Sequence, residues 1–136
     1  MNLVIDASVA VEYLLRTPLG QVIAPTVEGA ELYAPELIDV EVMSALRRLV
    51  LANRLDLPRA ALTLDLLRDW PLTRLPHASL IPFAWTYRNC LSAYDAFYVA
   101  AARALEAELV TADGALARAP ALDVVIHNIR GRAGGV

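Results

Sequence analysis

Lysine is absent from this 136-residue chain: all 12 basic residues are arginine. A phosphate-binding loop needs its lysine, and receiver-type phosphoacceptor domains and haloacid-dehalogenase-like phosphotransferases lean on one. Schiff-base chemistry is excluded outright. The all-arginine choice reads first as the mark of a GC-rich genome. Cysteine is nearly absent too. The single Cys90 rules out an internal disulfide framework and suits a reducing cytosol; it is expected to be a small buried hydrophobe. One cysteine with two distant histidines, His77 and His127, leaves no Cys-based zinc site. Long hydrophobic runs are missing. A membrane span needs about 20 predominantly apolar residues, and the run from Ala96 to Ala102 is stopped by Asp95 and Arg103. No basic leader with a cleavage site opens the chain, so no signal peptide is expected. Aromatics are few, at 7%. Trp70, Trp85, Tyr87, Tyr94, Phe97 and Tyr98 are therefore read as core or dimer packing before base stacking.

Apolar residues are plentiful, at 57%, against a usual share of about 45–50%. The length suits one domain, read as residues 1–130, with a loose tail over 131–136. Apolar surface beyond what one small core hides would be covered by a dimer or a partner.

Strand-like and helix-like stretches alternate. Residues 2–5 read as a short buried strand, Val9 to Leu15 as a helix broken at Thr17-Pro18, and 20–29 as a second helix. Leu32-Tyr33-Ala34 is a strand. A long helix is expected from about 36 to 53, its stripe drawn from Leu37, Val40, Ser44, Leu46 and Val50. Further helices are expected over 58–69, 78–89 and 93–107. A weak strand falls between Leu72 and Leu75, a strand at Leu109-Val110-Thr111, a helical turn from Gly114 to Arg118, and a last strand at Val124-Val125-Ile126. This pattern predicts an α/β domain with a mostly parallel sheet covered by helices. In such sheets sites gather at the carboxyl ends of the strands.

Two acids stand there. Asp6 follows the strand in LVIDASV, and Asp113 follows Leu109-Val110-Thr111-Ala112. Asp95 falls in the first turn of an apolar helix, and Glu41 in the second turn of the long one. Each has a plainer role. Asp6 and Asp113 suit helix N-caps, Ser92 and Asp95 resemble a capping box, and Glu41 fits a solvent-facing position. As a set they mean more. Converging carboxylates repel one another and raise their own pKa values. A hard divalent cation relieves that repulsion, and Mg²⁺ or Mn²⁺ with open water positions suits phosphodiester hydrolysis.

Three segments then carry a family resemblance: LVIDASV at 3–9, PELIDVEVMSALRR at 35–48, and LSAYDAFYVAAARALEAELVTAD at 91–113, with Leu116 beyond. In order and spacing they resemble PIN-domain ribonucleases, most closely the VapC-type toxins of bacterial toxin–antitoxin pairs, over nearly the whole chain. The resemblance implies a three-layer α/β/α sandwich with a parallel sheet of about five strands, a usual size. It implies Asp6, Glu41, Asp95 and Asp113 as catalytic, metal-holding acids, with Ser8 and Thr111 in support; Glu36 and Asp39 do not match. It also implies Mg²⁺ or Mn²⁺, an RNA substrate (tRNA, rRNA or mRNA), a cognate antitoxin, a homodimer and a cytoplasmic location. Arg16 lies where some relatives place a basic residue near the cleft.

On this expectation Asp6 both caps its helix and holds the cation, one carboxylate oxygen taking a backbone N–H and the other facing the metal. The net charge of −3 turns to +1 once the four acids are set aside, leaving Arg16, Arg47, Arg48 and Arg88 as candidate phosphate contacts. Two rival readings are a catalytically silent PIN-fold binding module and an acidic phosphoacceptor domain, the latter disfavoured by the missing lysine.

Overall fold

Three successive residues at the start of the chain, Leu3, Val4 and Ile5, are all buried. A strand covered on both faces reads as a continuous apolar run rather than an alternating one. That run is β1 (Asn2–Ile5), the central strand of a five-stranded sheet. The computed structural model describes residues 1–119 and 123–134, the last three as backbone.

After β1 come α1 (Ala7–Leu14), α2 (Pro18–Glu28), β2 (Glu31–Pro35), α3 (Leu37–Leu51) and α4 (Leu57–Asp69). β3 (Leu72–Leu75) leads through a 3₁₀ turn, Ala78–Leu80, into α5 (Ile81–Trp85) and α6 (Ala93–Leu105). β4 (Glu108–Thr111), α7 (Gly114–Ala117), β5 (Ile126–Asn128) and α8 (Ile129–Gly134) complete the chain. The strand order is β3-β2-β1-β4-β5 and every pairing is parallel. The chain moves one way from β1 to β2 to β3 and then crosses back to β4. Right-handed crossovers therefore place the earlier helices on one face and α5 and α6 on the other. This is the expected α/β/α sandwich. Its topological switch point lies between β1 and β4, where the crevice at the strand ends opens.

Local signals explain the element ends. Asp6, Thr17, Asp56, Ser92 and Asp113 each cap a helix through a side-chain oxygen, as short polar residues do. Gly20 lets α2 approach α1: a Cβ there would meet the Glu12 carbonyl oxygen at 2.0 Å. The N-terminus of α3 is capped from afar, His77 Nε2 accepting the Leu37 N–H at 3.0 Å. His127 pairs with Glu108 at 2.9 Å. Both histidines are thus tied into the scaffold.

Several expectations need correcting. The stripe of α3 is Ile38, Val42 and Leu46; Val40 is 71% exposed. The last strand begins at Ile126, where the apolar Val124-Val125-Ile126 ends. The helix expected over 78–89 is a 3₁₀ turn and a short α-helix ending at Trp85. Cys90 is exposed. Residues 131–134, read as loose, continue α8, and residues 135–136 lie outside the described residues. Among the described residues no helix is long and apolar enough to cross a membrane.

Candidate active site

Asp6 ends β1 in extended backbone and is 6% exposed. Its Oδ1 accepts the Val9 N–H at 3.1 Å and the Ser8 hydroxyl at 2.6 Å. Its Oδ2 accepts the Thr111 hydroxyl. The same two hydroxyls look the other way as acceptors. Ser8 Oγ takes the Ala112 N–H and Thr111 Oγ1 the Asp113 N–H, each at 2.8 Å. Ser8 and Thr111 thereby staple the end of β1 to the end of β4 and fix Asp6 against Asp113. The division of labour expected within Asp6 is therefore different. Both oxygens carry protein hydrogens, and of about four lone-pair directions on a carboxylate one remains, on Oδ2.

The other three acids arrive from separate elements. Asp113 caps α7, its Oδ1 accepting the Ala115 N–H at 2.9 Å. Asp95 stands in the first turn of α6, whose cap Ser92 accepts the Asp95 N–H at 3.2 Å. Glu41, on α3, accepts the Tyr98 hydroxyl at 2.6 Å. All four line one cleft of about 400 Å³, together with Ser8, Glu12, Tyr98, Arg48 and Arg130.

Burial is the main force on Asp6, Glu41 and Asp95, and repulsion from neighbouring carboxylates adds to it. Desolvation pushes Asp6 up to about 6, against the pull of its hydrogen bonds to Ser8, Thr111 and Val9; the charge of Asp113 adds a little. Asp95 is raised by burial and then by Asp113, with Ser92 opposing. Glu41 is raised by burial, lowered by Tyr98, and raised again by Asp95. Tyr98 is 2% exposed, and burial beside Glu41 holds its hydroxyl protonated. Among the described residues no three of these groups stand close enough to form a finished cation site. The donors are nonetheless all hard oxygens facing one cleft at an unfavourable density of negative charge. That chemistry fits a hard divalent ion, with waters completing its shell.

Residues 3–122 match the family described as the PIN domain. This chain belongs to the PIN-domain family. Among its relatives is the ribonuclease VapC1 of Mycobacterium tuberculosis, 43% identical over 98 residues, which span 71% of this chain and 74% of that protein. The ribonuclease VapC9 of the same organism is 41% identical over 82% of this chain and 85% of its own length. Among solved structures, VapBC2 from Rickettsia felis superposes with a TM-score of 0.67 at 14% identity, over 94% of this chain and 98% of that one. FitAcB from Neisseria gonorrhoeae gives 0.62 at 17% identity, with the same coverage. These two likenesses concern the fold.

Within this PIN domain, five of the six residues singled out from sequence line the cleft, and the sixth, Thr111, hydrogen-bonds to Asp6. Of the four candidate arginines, only Arg48 lines the cleft. Arg88 sits 5.3 Å from the Trp85 ring. Arg16 belongs to a different cleft of about 470 Å³, beside Tyr13 and Trp70, whose rings stack 5.4 Å apart. From sequence Tyr98 reads as a packing aromatic, and Glu12 and Arg130 have no role. Tyr98 had a local signal, since it lies three residues after Asp95 on one helix face. Glu12 lies four residues after Ser8 in the same way. Arg130 had none, because it reaches the cleft only once β5 is in place.

Proposed function

We propose that this protein is a metal-dependent endoribonuclease and the toxin of a toxin–antitoxin pair. The observation that carries the reading is the convergence of Asp6, Glu41, Asp95 and Asp113, from four separate elements, on one cleft at the sheet's switch point. The ribonuclease names of its relatives support the substrate class, and the resemblance of its motifs to VapC-type toxins supports the toxin role.

Mg²⁺ or Mn²⁺, held by the four acids, would polarise a phosphodiester and lower the pKa of an attacking water. The chain's own part is positioning. Ser8 and Thr111 hold Asp6 in one rotamer, so its free lone pair faces the cleft. Tyr98 fixes Glu41 and, by donating a hydrogen bond, favours its ionised form. Arg48, on the α3 wall, supplies positive charge at the mouth. The homodimer, the antitoxin and the cytoplasmic location belong to the same proposal. Exposed Val40, Met43 and Leu57 on α3 and α4, and Ile81 and Trp85 on α5, leave apolar surface for protein partners.

The test is cleavage of total RNA by the purified protein freed of any partner. Mg²⁺ or Mn²⁺ should support cutting, and excess EDTA or Asp95→Asn should abolish it. Intact RNA with both metals would leave a silent binding module instead. Full activity in EDTA would remove the metal from the mechanism.

A further inference from the structure

Arg130 stands at the rim of the acidic cleft and is held there from two sides. Its Nε donates to the Ala112 carbonyl at 2.8 Å, and its Nη2 to Glu12 Oε1 at 3.2 Å. Ala112 is the residue between Thr111 and Asp113, and its N–H is bonded to Ser8. The guanidinium is therefore anchored on the peptide that carries two of the site residues. Glu12 is anchored as well, its other oxygen accepting the Thr17 hydroxyl. The two side chains are unequally exposed, 59% for Arg130 and 20% for Glu12. Two of the five guanidinium N–H groups are used, and the other three have no hydrogen-bond partner among the described residues.

A structural ion pair would need neither the fork's fixed orientation toward Ala112 nor its placement beside four carboxylates. A planar fork with spare donors suits a phosphate, which takes paired N–H groups. We infer that Arg130 is a substrate-binding residue that takes a phosphodiester flanking the one at the acids, and that Glu12 masks it until RNA arrives. This rests on the ribonuclease reading above. Arg48, on α3, lines the same cleft, so the two arginines offer phosphate contacts from different elements. On binding, the phosphate takes over the Nη2 donor from Glu12, while the Ala112 anchor keeps the fork aimed. Glu12 then opposes binding, since its charge competes with the phosphate for one partner.

The two residues therefore have opposite effects, which a latch for the C-terminal helix would not produce. The experiment is fluorescence anisotropy with a labelled single-stranded RNA of mixed sequence, in Ca²⁺ in place of Mg²⁺, with gels confirming uncut RNA. Arg130→Gln should weaken binding about tenfold and reduce the slope of log affinity against log salt by about 0.7, the value for one phosphate contact on a single strand. Glu12→Gln should tighten binding about threefold. If Arg130→Gln does not fold, Arg130→Lys keeps the charge and loses the fork. It should keep the slope and still weaken binding.

Equal affinity and slope for wild type and the Arg130 variant would overturn the inference and leave the ribonuclease reading standing. So would a parallel loss of affinity in the Glu12 and Arg130 variants, which marks a latch. A wild-type protein that neither binds nor cuts RNA removes the ribonuclease reading itself.

Discussion

Tyr98 donates its hydroxyl to Glu41 Oε1 at 2.6 Å, joining α6 to α3 in the wall of the cleft. Removing that oxygen with Tyr98→Phe keeps the ring in the core and leaves Glu41 without its donor. A hydrogen bond to a charged group contributes about 1.5–3 kcal/mol. The lower end is expected, because Glu41 is only half-buried and water can replace the donor. Urea melts should show a loss of about 1.5 kcal/mol. Calorimetric titration with Mg²⁺ should show weaker binding than wild type, since Glu41 is no longer held toward the cleft. Unchanged Mg²⁺ affinity would mean that Glu41 needs no positioning.

Asp6 makes the metal-free protein's stability depend on pH. Burial raises its pKa from 3.8 to about 6. Between those values the folded protein keeps a proton that the unfolded chain releases. The folded state is thus favoured at low pH, and that advantage is lost as pH rises to about 6. The difference amounts to roughly 3 kcal/mol. Glu41 and Asp95 are shifted in the same direction. In EDTA, thermal melts should therefore show wild type losing stability between about pH 3.5 and pH 6.5 relative to Asp6→Asn, by on the order of 2–3 kcal/mol. Mg²⁺ should raise the melting temperature more at pH 7 than at pH 5, since it replaces the proton at these acids. A pH profile identical in wild type and Asp6→Asn would show that Asp6 ionises without cost.

Thr111 is fully buried, and its hydroxyl serves two groups at once, as donor to Asp6 and acceptor from the Asp113 N–H. Thr111→Val keeps the shape and orphans both. Each buried unsatisfied partner costs about 1–3 kcal/mol, so the variant should lose roughly 2–4 kcal/mol in chemical denaturation. Thr111→Ser retains the hydroxyl and should lose about 1 kcal/mol, the order of one buried methyl group. If valine were as well tolerated as serine, the staple between β1 and β4 would not be holding the site.

Much of this was written locally. The run LVI states a doubly covered strand, and the acid after it could only emerge at the sheet's carboxyl edge. Asp113 caps its own helix, and Asp95 sits three residues after the cap Ser92. The misread parts have a common cause. Along α3, Leu37, Ile38, Val40, Val42 and Met43 are apolar on nearly every side, so periodicity cannot pick the buried face; packing onto α1 and β2 does. The last strand is an edge strand. Pairing with β4 alone is enough to hold Ile126-His127-Asn128 there, whereas the apolar Val124-Val125 suggested an earlier start. Cys90 illustrates that a preference for burial is not an address. Arg130 meets Glu12 across 118 residues of chain, and no pattern of near neighbours encodes that.

Asp39 lies two residues before Glu41 on α3, and the two acids have different partners. Glu41 faces the cleft, while Asp39 takes a two-pronged hydrogen bond from Arg74, Nη2 and Nε each 2.9 Å from a carboxylate oxygen. Arg74 also donates to the carbonyls of Leu67 and Leu72, at 2.6 and 3.1 Å, tying α3 to the end of α4 and to β3. Asp39 is 42% exposed, so water screens part of the pair. Asp39→Asn should cost about 0.5–1 kcal/mol in urea melts and leave RNA cleavage per folded molecule unchanged. Glu41→Gln should do the reverse, with little loss of stability and a fall in cleavage of about 100-fold or more. If Asp39→Asn abolished cleavage at full occupancy of the folded state, the acid on α3 would have been assigned to the wrong turn of the helix.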